Sequence, residues 1–354
     1  MRTDIEKFCI SPSCDLKTAL ASLRTSGEKI VFVVDERKRL LGTLTDGDVR
    51  NWILEGGELN AKIDNVYYHF PYTVGVDYDM QKVRETMLEM KFNGIPVIDG
   101  GRVLVGLLFW QDVFGGRQQI EKPALNVPVV IMAGGKGTRL DPFTRILPKP
   151  LIPIGEKTVL ETIISRFIPY NVRHYYITVN HKAKIIKSYF EELRPDYELT
   201  FVDEKMPQGT AGSLQYLRGS LSGDFIVTNC DIIIDTDYNE VLAYHIKQGN
   251  AITIVGSLKH IKIPYGVCDV GKGGRLKSIS EKPEHNVLVN TGMYVISSEL
   301  LDYIPADGMY HMTNLVDDAM KNGRKVGVFP IDETAWFDTG EWEEYDKTLR
   351  RLEL

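Results

Sequence analysis

A chain of 354 residues is long enough for about two domains, and 43% hydrophobic against 25% charged residues is the balance of an ordinary globular protein. The formal net charge of −6 excludes a general attraction to nucleic acid or anionic lipid, leaving room only for a local basic pocket. Four cysteines (Cys9, Cys14, Cys230 and Cys268) form no C-x-x-C, which argues against structural zinc and for a reduced, cytoplasmic setting. At the N-terminus Arg2, Asp4, Glu6 and Lys7 stand where a leader would need an apolar core. Further on, no run reaches the ~18 apolar residues of a membrane span. The first predicted elements are a helix over 16–24, a strand over 30–34 ending at Asp35, and a strand over 40–44. A helix follows from near Asp46. The same order returns with a helix over 80–90, strands over 95–98 and 103–108, and a turn or helix from Gln111. Asp35 and Asp99 set a repeat of 64 residues, which predicts two small units packed together.

Residues 116–126 lack periodicity and read as a linker. From 129 the character changes. Apolar strands at 129–132, 175–179, 225–228, 251–255 and 326–330 alternate with helices at 159–167, 184–193, 212–217, 238–247, 312–322 and 341–352. Continuous apolar strands alternating with helices predict a layered α/β domain around a buried, mainly parallel sheet.

The first of these strands runs into Ala133, Gly134, Gly135, Lys136, Gly137, Thr138 and Arg139, with Pro148-Lys149-Pro150 close behind. Glycines let the backbone approach a ligand and turn its N–H groups toward it. Lys136, Arg139 and Lys149 add donors and charge for a triphosphate. The spacing fits neither G-x-x-x-x-G-K-[ST] nor the dinucleotide fingerprint, so it points to phosphate without naming a reaction. Further on, Asp231 follows the apolar run at 225–228, and Asp338 lies in Phe337-Asp338-Thr339-Gly340. Two carboxylates at strand ends suit Mg²⁺, which completes its shell with phosphate oxygens and water.

The segments GGKGTRL (134–140) and PKPLIPI (148–154) resemble the signature of the sugar-nucleotide pyrophosphorylases, over residues 127–350. The resemblance implies transfer of a nucleoside monophosphate to a sugar 1-phosphate, with Arg139 and Lys149 stabilising the transferring phosphate and the pyrophosphate. It implies Asp231 and Asp338 as the metal-binding pair, although many relatives have Gly where this chain has Cys230. Ala133, Gly134, Gly135, Gly137, Thr138, Gly209 and Thr210 would line the nucleotide. Tyr265-Gly266-Val267, Glu281-Lys282-Pro283 and Asn290-Thr291-Gly292 resemble its sugar-contact segments. Gly266, Glu281 and Asn290 would then meet the sugar, and Lys282 its phosphate. Glu204 stands at the base-binding position. A carboxylate there can accept from guanine N1–H and its amine, whereas uracil and thymine offer one N–H between carbonyls, so GTP is the expected donor. Uridylyl, thymidylyl or cytidylyl transfer is the alternative. A noncatalytic adenine-nucleotide sensor is another.

Gly42-Thr43-Leu44-Thr45-Asp46-Gly47-Asp48 resembles the G-x-x-T-x-x-D ligand motif of a CBS domain, and 106–112 is its counterpart, with Phe109 at the second Thr position and Asp112 at the second Asp. The resemblance implies an adenine nucleotide at the module, held by Thr45, Asp48 and Asp112. The expected fold class is thus α/β: a tandem CBS module over 1–115, a linker over 116–126, and a nucleotidyltransferase domain with a Rossmann-like mixed sheet over 127–354. A homo-oligomer without nucleic-acid partners or a membrane span is expected.

Overall fold

The computed structural model describes residues 1–90, 92–114 and 122–351, and the chain divides into two compact units, Met1–Ile120 and Glu121–Leu354. Of the linker expected over 116–126, residues 116–121 lie outside the described residues. No helix among the described residues is long and apolar enough to cross a membrane.

The first unit holds two copies of one motif. The first copy comprises β1 (Cys9–Ile10), α1 (Leu16–Ser26), β2 (Ile30–Val34), β3 (Leu40–Thr45) and α2 (Asp46–Leu54). The second comprises β4 (Val74–Gly75), α3 (Met80–Met90), β5 (Gly94–Ile98), β6 (Leu104–Phe109) and α4 (Trp110–Phe114). In each, a short strand pairs parallel to the next, which pairs antiparallel to the third. The equivalence reaches individual hydrogen bonds. Asp35 Oδ1 accepts from the N–H groups of Arg37 and Arg39 (2.9 and 2.8 Å), and Asp99 Oδ1 accepts from those of Gly101 and Val103 (both 2.8 Å). The residues Lys38 and Arg102 take the left-handed turn position in the two copies, at φ 59° and 61°.

The second unit is built on a seven-stranded sheet. Its elements begin with β7 (Val129–Met132), the hairpin β8 (Pro153–Ile154) and β9 (Lys157–Thr158), α5 (Val159–Phe167), β10 (His174–Val179) and α6 (Ala183–Leu193). Next come β11 (Glu198–Asp203), α7 (Gly209–Gly212), β12 (Asp224–Asn229), β13 (Ile232–Ile234) and α8 (Tyr238–Gln248). The C-terminal part adds β14 (Ile252–Lys262), β15 (Val267–Val270), β16 (Leu276–Ser280) and β17 (Glu284–Ser297). It closes with α9 (Met312–Lys321), β18 (Val326–Asp332), β19 (Trp336–Asp338) and α10 (Trp342–Arg351). The large sheet runs β11-β10-β7-β12-β17-β14-β18, parallel throughout except that β17 runs against both its neighbours.

Alternation along β7 explains why both faces are covered. Val129 and Ile131 enter one apolar cluster with Ile163, Phe167, Ile186 and Val241 of α5, α6 and α8. Val130 enters the other, with Met312, Leu315 and Ala319 of α9. Local signals set the helix ends. Thr158 and Glu161 form a reciprocal capping box at α5, and Gly249 closes α8 in the left-handed conformation at φ 61°. The segment expected as a helix over 212–217 is instead the end of α7 followed by a tighter 3-10 turn, Ser213–Leu217. The strand expected over 251–255 continues to Lys262, because β17 pairs with it along nearly its whole length.

Candidate active site

β7 delivers the chain to the glycine loop at the carboxyl edge of the sheet, where ligands of open α/β folds bind. The loop is tied to β10 by the Ala133 N–H, which donates to Thr178 O at 2.9 Å. Its three glycines have different reasons to be glycine. A Cβ on Gly134 would overlap the Glu204 carboxylate, and Gly137 sits at φ 67° with its Cβ position 2.9 Å from Lys149 Cβ. Gly135 has nothing within 4 Å and faces open space. A cavity of about 430 Å³ opens here, lined by Gly134 to Arg139, Lys149, Glu204, Gly209, Thr210 and Asp231. Of the residues expected to hold a nucleotide, Ala133 alone is absent from that lining; it is fully buried behind the loop.

The acidic pair is assembled by a second, small sheet. β13 leaves the end of β12 and pairs antiparallel with β19, placing Ile232 opposite Asp338. Thr339 secures the join: its N–H and hydroxyl both donate to Asp231 O, at 2.8 and 2.9 Å. Lys149, 6% exposed, donates from Nζ to Asp231 Oδ2 at 2.6 Å. A Cβ on Gly340 would lie 2.9 Å from Asp338 Oδ1, 3.4 Å from Asp231 Oδ2 and 3.5 Å from Lys149 Nζ, so three charged groups converge on one glycine. Burial raises the Asp338 pKa above its ordinary value; the Gly340 N–H bonded to it opposes the shift, and the neighbouring Asp231 carboxylate adds to it. Among the described residues no group of three or more His, Cys, Asp or Glu is placed to hold a metal unaided. The donor set is nevertheless a fit for a hard divalent cation: two carboxylates that repel each other, Asp231 lining the cavity and Asp338 standing behind that lining, with substrate phosphate oxygens and water to supply the rest.

At the far end of the cavity Glu204 is anchored by its backbone, its N–H donating to Val179 O (2.9 Å) and its carbonyl accepting from Asn180 Nδ2 (2.9 Å). Burial raises its pKa, while the adjoining Thr178 and Ser213 hydroxyls favour the ionised form. The loop ahead of α7 is clamped by a distant segment. Gly209 lies at φ 84°, and its Cβ position is only 2.6 Å from Tyr310 O, which accepts from the N–H groups of Ala211 and Gly212. The same segment brings Met309 to the cavity wall, where it joins Met132, Gln208, Asn229 and Cys230. None of these five was assigned to the site from sequence. Met132, Gln208 and Cys230 directly adjoin assigned residues and Asn229 lies two before Asp231, whereas nothing in the sequence around Met309 marks it.

Residues 128–353 match the nucleotidyl transferase family, and residues 1–55 and 67–116 match the CBS domain. The chain belongs to the nucleotidyl transferase family. It is 28% identical over 241 residues to a UTP--glucose-1-phosphate uridylyltransferase of Synechocystis, covering 62% of this chain and 62% of that protein. With a mannose-1-phosphate guanyltransferase of Schizosaccharomyces pombe it shares 30% identity over 225 residues, 61% of each. The chain thus spans less than two thirds of the length of either relative. The crystal structure of HddC from Yersinia pseudotuberculosis matches 64% of this chain and 99% of its own, at 25% identity and a TM-score of 0.50.

In this nucleotidyl transferase Gly266, Glu281 and Lys282, expected at the sugar, stand together, while Asn290 lies on a different strand. β15 and β16 pair Val267 with Ser280, which sets Gly266 beside Glu281; a Cβ on Gly266 would lie 3.1 Å from Glu281 Oε2. Lys282 follows at φ 46°, an uncommon conformation for a side-chain-bearing residue, with Nζ 4.0 Å from Glu281 Oε1. Asn290 stands on β17, donating to Tyr294 Oη at 2.8 Å and accepting from the Gly292 N–H at 3.0 Å. Gly292 lies against Asn229, its Cβ position 2.5 Å from Asn229 Nδ2, which brings the Asn290 segment next to the end of β12. Gly266, Glu281, Lys282 and Asn290 do not line the phosphate cavity.

In the CBS pair, Thr45 and Asp48 form the capping box of α2: the Thr45 N–H donates to Asp48 Oδ2 (2.8 Å) and Thr45 Oγ1 accepts from the Asp48 N–H (3.3 Å). Asp112 repeats half of this, accepting from the Phe109 N–H at 3.3 Å. It differs in being paired with Arg2, whose Nε lies 2.8 Å from its carboxylate and whose guanidinium stacks over Phe109 at 4.6 Å.

Proposed function

We propose that the chain transfers a nucleoside monophosphate from a nucleoside triphosphate to a sugar 1-phosphate, releasing pyrophosphate, and that GTP is its donor. The observation that carries the reading is the convergence of Lys149, Asp231 and Asp338 on Gly340 at the mouth of the glycine loop. An oxygen of the sugar phosphate attacks the α-phosphorus in line, forming a new P–O bond as the bond to the bridging oxygen breaks and its electrons leave with pyrophosphate. No protein nucleophile is needed. The chain contributes alignment and charge: loop N–H groups orient the phosphates, and Arg139 and Lys149 meet charge developing on the transferring and leaving groups. A divalent cation bound by Asp231 and Asp338 would supply further charge neutralisation at the phosphate oxygens. Gly266, Glu281 and Asn290 are read as sugar contacts, and Lys282 as the acceptor-phosphate contact.

Named relatives use different bases, so the donor has to be read from the site itself. The half-buried Glu204 carboxylate supports guanine, because it can accept from two neighbouring N–H donors of that base. The CBS pair is read as an adenine-nucleotide site centred on Thr45 and Asp48. The transferase reading is tested by pyrophosphate release from GTP, UTP, dTTP and CTP against the 1-phosphates of glucosamine, glucose, mannose and heptose. Release with GTP is expected. Release only with UTP or dTTP overturns the base assignment, and release with none overturns the reaction.

A further inference from the structure

Arg139 lies at the cavity wall and is paired with a carboxylate that the proposed reaction does not use. Its Nη1 donates to Glu341 Oε1 at 2.9 Å, with both side chains more than half exposed. Glu341 has no place in the cavity lining and follows Gly340 directly, so it flanks the triphosphate site from outside. Its position is set by the fold, because the start of α10 is fastened to the chain that follows the glycine loop. Trp342 Nε1 donates to Asp141 O at 2.9 Å, the Trp342 ring meets Phe143 edge-on at 5.0 Å, and the Tyr345 hydroxyl donates to Pro153 O. With these anchors in place, the first residue before the helix is held within reach of Arg139.

We propose that Glu341 is an internal competitor for the phosphates: its carboxylate holds Arg139 and has to release it when a triphosphate arrives. The inference rests on the transferase reading for the role of Arg139. A guanidinium has five N–H donors, yet a fixed carboxylate beside it both occupies one edge and repels an incoming polyanion. Triphosphate, with several negative oxygens, wins the exchange, and the residual repulsion weakens the hold on triphosphate and pyrophosphate alike. Glu341 is therefore a positioning residue acting through Arg139. It tempers affinity at the phosphate end and leaves the acceptor sugar untouched.

The test compares Glu341→Gln with Glu343→Gln. The second removes the same charge two residues on, in the first turn of α10, where Glu343 pairs with Lys347 at 2.9 Å and not with Arg139. Glu341→Gln is expected to lower the KM for GTP and the inhibition constant of pyrophosphate together by about two- to fivefold, the scale of an exposed ion pair. The KM for the sugar 1-phosphate and kcat should stay as in the parent, and Glu343→Gln should change none of these. A purely structural role for Glu341 would not tighten two phosphate ligands while sparing the sugar. An unchanged or raised KM for GTP overturns the proposal, as does an equal effect in Glu343→Gln. Equilibrium binding of GTP and of UTP to the same proteins separates the two readings. If no NTP turns over yet GTP binds more tightly to Glu341→Gln, the transferase reading fails and the competition stands. If neither nucleotide binds the parent protein, both fall.

Discussion

Asp338 is pulled two ways, since cation binding needs its charge while its half-buried place beside Asp231 disfavours that charge. Its pKa lies above the ordinary 3.8, mainly through burial. For an acid whose folded-state pKa is raised, the protonated form favours folding, so its contribution is present below the unfolded pKa and is lost as pH rises through the folded one. Asp338→Asn is therefore expected to raise Tm at pH 7 relative to the parent, while turnover falls about a hundredfold or more, the scale of losing one preorganised charged group at a transition state. Thermal melts across pH check the first half; a lower Tm for the variant at pH 7 counts against burial as the ruling cause. At the base end, Glu204→Gln is expected to reduce kcat/KM for GTP by about ten- to a hundredfold, as for a hydrogen bond to a charged group, with UTP much less affected. Equal losses for GTP and UTP would remove Glu204 from base recognition. Loop cations and strand-end carboxylates were legible in the sequence because their chemistry is local: a glycine turn with three cations and an Asp beyond a buried strand each suggest a ligand. Met309 was not, because only the backbone hydrogen bonds between Tyr310 and the 208–212 loop bring it to the cavity.

The glycine loop separates backbone necessity from ligand clearance. At Gly137 a side chain would be forced into the left-handed region and pressed against Lys149. Gly137→Ala is expected to destabilise the chain by about 1–2 kcal/mol, the scale of placing an L-residue in that conformation, and to lower kcat by displacing Lys149. Gly135 has neither restraint. Gly135→Ala should leave Tm unchanged and raise the KM for the nucleotide, because its new methyl projects into the space where the phosphates belong. Melting and steady-state kinetics of the two variants side by side would refute this division if Gly135→Ala also melts early. Most helices and the strands β7, β10 and β12 were readable because burial on one face or both imposes a period, as in α5 and β7. The edge strand β11 escaped notice: Glu198-Leu199-Thr200-Phe201 has ordinary alternation without strong apolar character, and only pairing with β10 makes it a strand. The length of β14 and the whole of β17, over which no strand was expected, were equally hidden, because their outer halves, including Ile261, Val287 and Leu288, are exposed and owe their extension to each other.

Across the whole chain, the internal repeat was the most legible feature, since one spacing of 64 residues relates Asp35 to Asp99 and Asp48 to Asp112. What the spacing did not reveal is that the copies have diverged in the surroundings of those aspartates. Asp48 keeps its Thr45 partner in a capping box, whereas Asp112 is neutralised by Arg2 lying over the Phe109 ring that replaces the threonine. A nucleotide ribose approaching Asp112 would have to displace a guanidinium held by an ion pair and a cation–π contact, while the hydroxyl and carboxylate of the first copy stand together with no such rival among the described residues. Adenine nucleotide is thus expected to bind the chain chiefly through the first copy. Asp48→Asn should weaken AMP binding by about tenfold or more, the scale of losing a hydrogen bond to a charged group, and Asp112→Asn should weaken it much less. Calorimetric titration of AMP, ADP and ATP into the three proteins measures this directly, and melting curves separate loss of the ligand contact from loss of the helix cap. If Asp112→Asn proves the more damaging, the two copies have their roles reversed. Absence of binding by all three nucleotides, together with transferase kinetics indifferent to them, would make the repeat a structural module whose aspartates serve only to start α2 and α4.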